Sequence, residues 1–207
     1  MSDRVGNSAG YMPRDSYQRF FDLVILTLGH VAFLPILVIL WIVVSASIWI
    51  GDRGPVLYSQ TRLGKGGRPF KMLKFRTMKV NAEADTGAIW AKQNDERITG
   101  IGRLLRRYRI DEMPQVLNMW KGDMSLVGPR PERPELVAEF EKTIPGFRKR
   151  LRVRPGFAGL AQVRGRYSTR PRDKLRYDNL YIERMNPFLD LKLCLASFWT
   201  VIRGFPH

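Results

Sequence analysis

The sequence predicts an α/β fold, mostly α-helical with a small β-hairpin, held at a membrane by an N-terminal apolar helix. Three observations carry this expectation. Residues 23–51 form a run of 29 positions without a charged side chain, and about 20 apolar residues suffice to span a bilayer core. Two short apolar stretches flank Gly64-Lys65-Gly66-Gly67, a composition that favours a hairpin turn. Beyond them, apolar residues recur mainly at helical spacing.

The 207 residues carry 35 Lys+Arg against 19 Asp+Glu, a formal charge of +16. An apolar content of 44% excludes wholesale disorder. One cysteine excludes an internal disulfide framework and a Cys-based zinc site. Two histidines, His30 and His207, argue against a His-rich metal site or a Ser-His-Asp triad. The charge is unevenly placed. Arg4, Arg14 and Arg19 balance Asp3, Asp15 and Asp22, so 32 of the 35 basic and 16 of the 19 acidic residues lie from Asp52 onward. A basic unit behind an apolar segment implies an anionic partner at a membrane surface: lipid headgroups, phosphorylated substrates or nucleic acid.

Taken in order, the apolar segment at 23–50 is too long for a cleavable signal peptide. A plain membrane span is its simplest reading. Pro35 in mid-run and basic residues on both flanks (Arg14 and Arg19 before, Arg53, Arg62, Lys65, Arg68 and Lys71 after) suit a re-entrant helix, broken at Pro35 and returning to the same face. Strands are expected at 56–62 and 69–78. The glycine turn between them lacks a phosphate-loop pattern. Residues 83–95 read as a polar loop or short helix, and 98–108 as a helix. Asp111 is expected to open a further helix reaching about Trp120, closed by Gly122.

The Pro-rich stretch 125–134 reads as a fixed loop and 134–142 as a helix. Residues 148–176 hold 11 Lys/Arg among glycines and prolines and read as loop with short elements. A polar helix follows at 174–184. The last helix, 187–202, is apolar apart from Asp190 and Lys192; it is short for a span and suits the membrane interface. This divides the chain into a membrane segment (1–52), a catalytic unit (53–186) and a C-terminal interfacial helix (187–207).

The most unusual local arrangement is Arg106-Arg107-Tyr108-Arg109-Ile110-Asp111-Glu112. Two adjacent carboxylates at a helix start beside arginines have an ordinary explanation as a cap with ion pairs. They also suit phosphate chemistry. A helix N-terminus and arginines seat phosphate, and a carboxylate there can ligate Mg²⁺ or attack phosphorus. Adjacent residues on a helix point about 100° apart, so the two carboxylates cannot share one role.

At this point the strings LKFRTM (73–78), IDEMPQVLNMWKGDMSLVGPRPE (110–132), VRPGFAGLAQVRGR (153–166) and YDNLYIERMNPFLDLKL (177–193) resemble the bacterial sugar transferases. These are monotopic phosphoglycosyl transferases, or polyprenyl-phosphate hexose-1-phosphate transferases. The resemblance runs in family order from about residue 17 to 203 and matches the minimal catalytic form. It implies transfer of a sugar-1-phosphate from a UDP-sugar to undecaprenyl phosphate with release of UMP, at the cytoplasmic face of the bacterial inner membrane. By the same match Asp111 is the nucleophile and a Mg²⁺ ligand, and Glu112 the supporting carboxylate. Arg106 binds phosphate. Lys74 and Arg130, the latter beside Pro131, bind phosphate or nucleotide, and Asp178 is a functional acidic position. The family's re-entrant helix breaks at a Ser-Pro pair; here Leu34-Pro35 keeps the proline without the serine. A homodimer is left open.

The residues themselves keep simpler alternatives. Lys74 reads as a solvated strand residue, Arg130 as a loop salt bridge, and Asp178 as a partner of Arg176 or Lys174. Gln162 either caps a turn or reaches substrate. Cys194 reads as a buried small hydrophobe. A competing function is a membrane-tethered basic module that binds anionic lipid or nucleic acid without catalysis; no nucleic-acid fold signature supports the latter.

Overall fold

The computed structural model describes residues 16–82, 95–165 and 169–203. Most of the polar stretch expected at 83–95 lies outside the described residues. Helix α1 (Gln18–Gly51) is 34 residues long, about 51 Å, and is long and apolar enough to cross a membrane. Helical structure continues through Pro35 without interruption, which corrects the expectation of a helix broken there. A proline withholds one N–H and crowds the carbonyl four residues back, here that of Val31; this kinks a helix without having to end it.

Strands β1 (Leu57–Leu63) and β2 (Pro69–Phe75) form the expected antiparallel hairpin, with Leu57 opposite Phe75 and Leu63 opposite Pro69. Helix α2 (Gly100–Arg107) starts at Thr99, whose Oγ1 accepts the Gly102 N–H at 3.0 Å. A Cβ at Gly102 would overlap the Thr77 carbonyl, so glycine lets α2 rest directly on the chain just after β2.

The expected helix at Asp111 needs correction. Asp111 and Glu112 lie on a separate 3₁₀ turn, Ile110–Glu112, and α3 is only Gln115–Lys121. Arg109 takes a left-handed conformation, φ 53°, and turns the chain before the dyad. Pro114 then begins a new helix. Gly122, φ 90°, ends it as expected.

The stretch 125–134 is not wholly loop. Strand β3 (Ser125–Val127) pairs in parallel with β4 (Gly156–Ala158). Three-residue strands bounded by prolines carry too little alternation to be read from sequence. A Cβ at Gly156 would collide with the Gly128 backbone, so only glycine admits this pairing. Helices α4 (Pro134–Thr143), α5 (Leu160–Arg164), α6 (Pro171–Arg184) and α7 (Pro187–Arg203) complete the chain. Helix α6 begins three residues before the expected start because Pro171 sits in its first turn.

Both ends of α1 dock on the same body. Near its start, Arg19 donates to the carbonyls of Met119 and Trp120, each at 2.7 Å, capping the end of α3. Asp22 accepts the Ser125 hydroxyl and the Leu126 N–H, both at 3.0 Å. Leu26 packs with Met72, Met119 and Met124. Near its end, Val44 and Ile48 pack with Phe75 and Leu105, and the Trp41 ring meets Phe75 edge-on at 4.9 Å. No residue from 31 to 39 is buried. Helix α7 contributes Leu193 to the core formed by Val127, Val153, Tyr181 and Ile182, and leaves Phe188, Leu191, Leu195, Phe198 and Trp199 exposed.

Helix α7 is tied to α1 through Asp190. Its buried carboxylate accepts Tyr17 Oη at 2.7 Å and Tyr181 Oη at 2.8 Å. Burial pushes the Asp190 carboxyl up to about 6, against the opposing effect of the two phenols. The folded state therefore keeps the proton to about pH 6, whereas the unfolded chain releases it near 3.8. The resulting stabilisation is complete below the lower value and lost as pH rises through the higher one. Asp190→Asn is expected to show a smaller fall in thermal stability from pH 4 to 6.5 than the parent, measured by thermal unfolding; parallel curves would contradict this.

Candidate active site

Lys74, Arg106, Asp111, Glu112 and Arg130 come from four separate segments and converge. Lys74 is near the end of β2 and Arg106 is in the last turn of α2. The dyad sits on the 3₁₀ turn, and Arg130 follows β3. Asn118 fixes the first of these placements. Its Oδ1 accepts the Leu73 N–H at 3.0 Å and its Nδ2 donates to the Lys71 carbonyl at 2.8 Å. The amide thus stands in for a neighbouring strand along the free edge of β2 and locks β2 to α3. Nothing in its local sequence separates Asn118 from an ordinary helical position.

Glu112 is the fixed member of the dyad. Its Oε1 lies 2.9 Å from Lys74 Nζ and is hydrogen-bonded by Arg130 Nη2, while Arg130 Nη1 reaches Oε2 at 3.5 Å. Burial alone would raise the Glu112 carboxyl, but Arg130 and Lys74 outweigh it and hold the group well below the usual carboxylate range. Glu112 in turn keeps the Arg130 guanidinium firmly charged.

Asp111 is also buried, yet among the described residues it has only a longer contact, 3.7 Å, to Lys74 and takes no hydrogen bond. Burial raises its carboxyl above the ordinary value; the charge on Lys74 opposes this and the charge on Glu112 adds to it. The carboxyls are therefore driven apart, a pattern typical of paired groups with distinct roles. Arg106 donates from Nε to Thr77 Oγ1 at 2.8 Å, and its charge favours ionised Asp111. Arg109 lies close enough to interact electrostatically with both carboxylates, although burial lowers its own pKa.

Among the described residues no cluster of three or more His, Cys, Asp or Glu could hold a metal. Mg²⁺ needs only one or two carboxylates when phosphates and water supply the other ligands. Asp111 fits that requirement because no guanidinium among the described residues occupies its oxygens; Glu112 does not.

The remaining site residues sit elsewhere. Asp178 is buried behind the 129–132 turn and pairs with Arg150 at 2.8 Å, a partner that neither its functional reading nor its alternative pairing with Arg176 or Lys174 named. Pro131 is buried, and its carbonyl accepts from Arg62. Gln162 donates to the Phe157 carbonyl at 3.1 Å, the local turn contact that was one of its two readings. The basic stretch 148–176 is not one solvated face: Arg150 is buried within it.

Removing the positive charge of Lys74 is expected to push the Asp111 carboxyl higher still. A carboxylate that acts as a nucleophile must be ionised, so with Asp111 in that role Lys74→Met should move the acid limb of a pH–rate profile upward. Glu112→Gln removes a repelling charge and should move that limb downward. Equal limbs in all three proteins would refute the electrostatic assignment.

Comparison with known proteins supplies the family. A model described as bacterial sugar transferase matches residues 13–204. A UDP-N-acetylgalactosamine-undecaprenyl-phosphate N-acetylgalactosaminephosphotransferase of Aeromonas hydrophila is 39% identical over 86% of this chain and 43% of its own length. A UDP-glucose:undecaprenyl-phosphate glucose-1-phosphate transferase of Caulobacter vibrioides is 40% identical over 91% of this chain and 72% of its own. A putative undecaprenyl-phosphate N-acetylgalactosaminyl 1-phosphate transferase of Bacillus subtilis is 46% identical over 65% of this chain and 72% of its own. The chain thus spans about two fifths of the Aeromonas relative and nearly three quarters of the other two. With the family model covering almost the whole chain and the dyad assembled among its cations, the chain belongs to the bacterial sugar transferase family.

Proposed function

We propose that this protein transfers a sugar-1-phosphate from a UDP-sugar to undecaprenyl phosphate through a covalent Asp111 intermediate. The observation that carries the division of roles is the contrast within the dyad. Glu112 is neutralised by two cations, whereas Asp111 is buried beside it without a hydrogen bond among the described residues. The names of the relatives supply the donor and acceptor classes.

In this reading an Asp111 carboxylate oxygen attacks the β-phosphorus of the UDP-sugar. The bond from that phosphorus to the oxygen bridging it to the α-phosphorus breaks, and UMP leaves with the bonding pair. An oxygen of the lipid phosphate then attacks the phosphorus held on Asp111, which restores the carboxylate and yields the lipid diphosphosugar. Lys74, Arg106 and Arg130 surround the transferred phosphoryl group with fixed positive charge, the main source of catalysis in such transfers. Glu112 holds Lys74 and Arg130 in place and adds no second nucleophile. When bound by Asp111 and the donor's phosphates, Mg²⁺ would supply further positive charge at the phosphoryl oxygens.

Helix α1 would enter and leave the membrane on the cytoplasmic face, bending at Pro35. Two features support this. The docked ends, at Leu26 and Val44, both pack on the domain that carries the dyad, and the unburied stretch between them is centred near Pro35. The exposed apolar stripe of α7 would lie along the same surface.

Asp111→Asn should lower UMP release from UDP-sugars, assayed with undecaprenyl phosphate and Mg²⁺, by at least about 1,000-fold. It should also abolish a radiolabelled phosphosugar-protein adduct that the parent forms without acceptor; near-parental turnover would sink the covalent mechanism. For topology, single cysteines at Ser2→Cys and Lys79→Cys in a Cys194→Ala background should both resist an impermeant thiol reagent added outside intact cells. Labelling of the first from outside would reject the re-entrant arrangement.

A further inference from the structure

We infer that Arg150 and Arg62 are positioning residues that hold the 129–132 turn by its backbone and thereby aim the Arg130 side chain at Glu112. This rests on the role proposed above for Arg130.

Four consecutive carbonyls of this turn each accept a hydrogen bond from elsewhere. The Pro129 carbonyl accepts from the Gly156 N–H at 2.9 Å and that of Glu132 from the Leu63 N–H at 3.0 Å. Between them, the Arg130 carbonyl accepts from Arg150 Nη2 at 3.0 Å and the Pro131 carbonyl from Arg62 Nη1 at 3.3 Å. Pro129 and Pro131 have no N–H and a fixed φ. The turn can therefore be held at these residues only through its carbonyls, and two of the four donors are guanidiniums.

Those guanidiniums are themselves fixed. Arg150 is 3% exposed, and its Nη2 is shared with Asp178 at 2.8 Å; Asp178 is 1% exposed. Glu132 lies between the two arginines, 3.7 Å from each, with Lys174 at 3.9 Å. One planar guanidinium can meet Asp178, Glu132 and the Arg130 carbonyl together, which a lysine ammonium at the end of a flexible stem cannot do in the same geometry. Asp178 thus acts at a distance from the dyad: it holds Arg150, which holds the backbone of Arg130, whose side chain meets Glu112.

A double-mutant cycle tests this. Arg150→Met should lower kcat/KM at least about tenfold in the parent, but less than about twofold in an Arg130→Met background, because its contribution passes through Arg130. Arg150→Lys should restore only part of the loss, and Asp178→Asn, the milder variant if Arg150→Met folds poorly, should act in the same direction. Hydrogen exchange at the Leu63 and Gly156 amides gives a readout that does not depend on turnover. It should quicken in Arg150→Met while the α6 amides stay protected. Additive losses in the cycle, or unchanged exchange at those amides, would overturn the inference. Absence of UDP-sugar turnover by the parent would instead count against the proposed function, and the exchange result would still decide this one.

Discussion

The charge on Glu112 is the constraint on which the site depends. A buried carboxylate stays ionised only if cations meet it, and here they arrive from β2 and from the turn after β3. One group thus joins segments that are 38 and 18 residues away in sequence. Removing one partner of a fully buried pair costs about 3–5 kcal/mol; Arg130 is partly exposed, so its share falls below that. The consequence for chemistry is more important than the stabilisation. With Glu112 saturated, Asp111 is, among the described residues, the carboxylate of the pair without a hydrogen bond, the state that the proposed nucleophile requires, and its neighbours supply positive charge.

Around this centre the fold makes limited use of regular structure. Among the described residues there are two sheets of two strands each, and one of them consists of three-residue strands. Small sheets have unpaired edges, and side chains complete them. Asn118 occupies the edge of β2, and beyond β3 Arg150 and Arg62 donate to the Arg130 and Pro131 carbonyls. The excess positive charge is partly spent inside the molecule. Arg150 is buried, and Arg19 caps α3. Net charge on the sequence therefore overstates what faces an anionic partner.

The long apolar helix α1 is part of the same construction. Arg19, Asp22 and Leu26 bind its first turns to α3 and β3, and Val44 and Ile48 bind its last turns to α2 and β2. Asp190 closes the circuit by joining α7 to Tyr17, just before α1, and to Tyr181 on α6. The boundaries expected at residues 52 and 187 fall between elements, yet the cores cross both of them.

The sequence by itself determined the apolar helix, the hairpin and most later helices, because run length, glycine turns and helical spacing are local signals. It also singled out Asp111, Glu112, Lys74, Arg106 and Arg130, through adjacent carboxylates among arginines and through the family strings. Only the tertiary structure decided how each is held. In sequence the two carboxylates are told apart only by their directions on a helix and by the family match; their electrostatic difference comes from Lys74 and Arg130, which no local pattern links to Glu112. Arg150 reads as one of 11 basic residues in a loop-like stretch, and Asp178 as a functional acidic position by the resemblance or simply as a partner for Arg176 or Lys174. Burial and distance, set by packing between remote segments, turn them into the support behind Arg130. The β3–β4 pairing and the continuity of α1 through Pro35 were decided in the same way: short strands need a partner to exist, and a helix held at both ends by packing accommodates the hydrogen bond its proline omits.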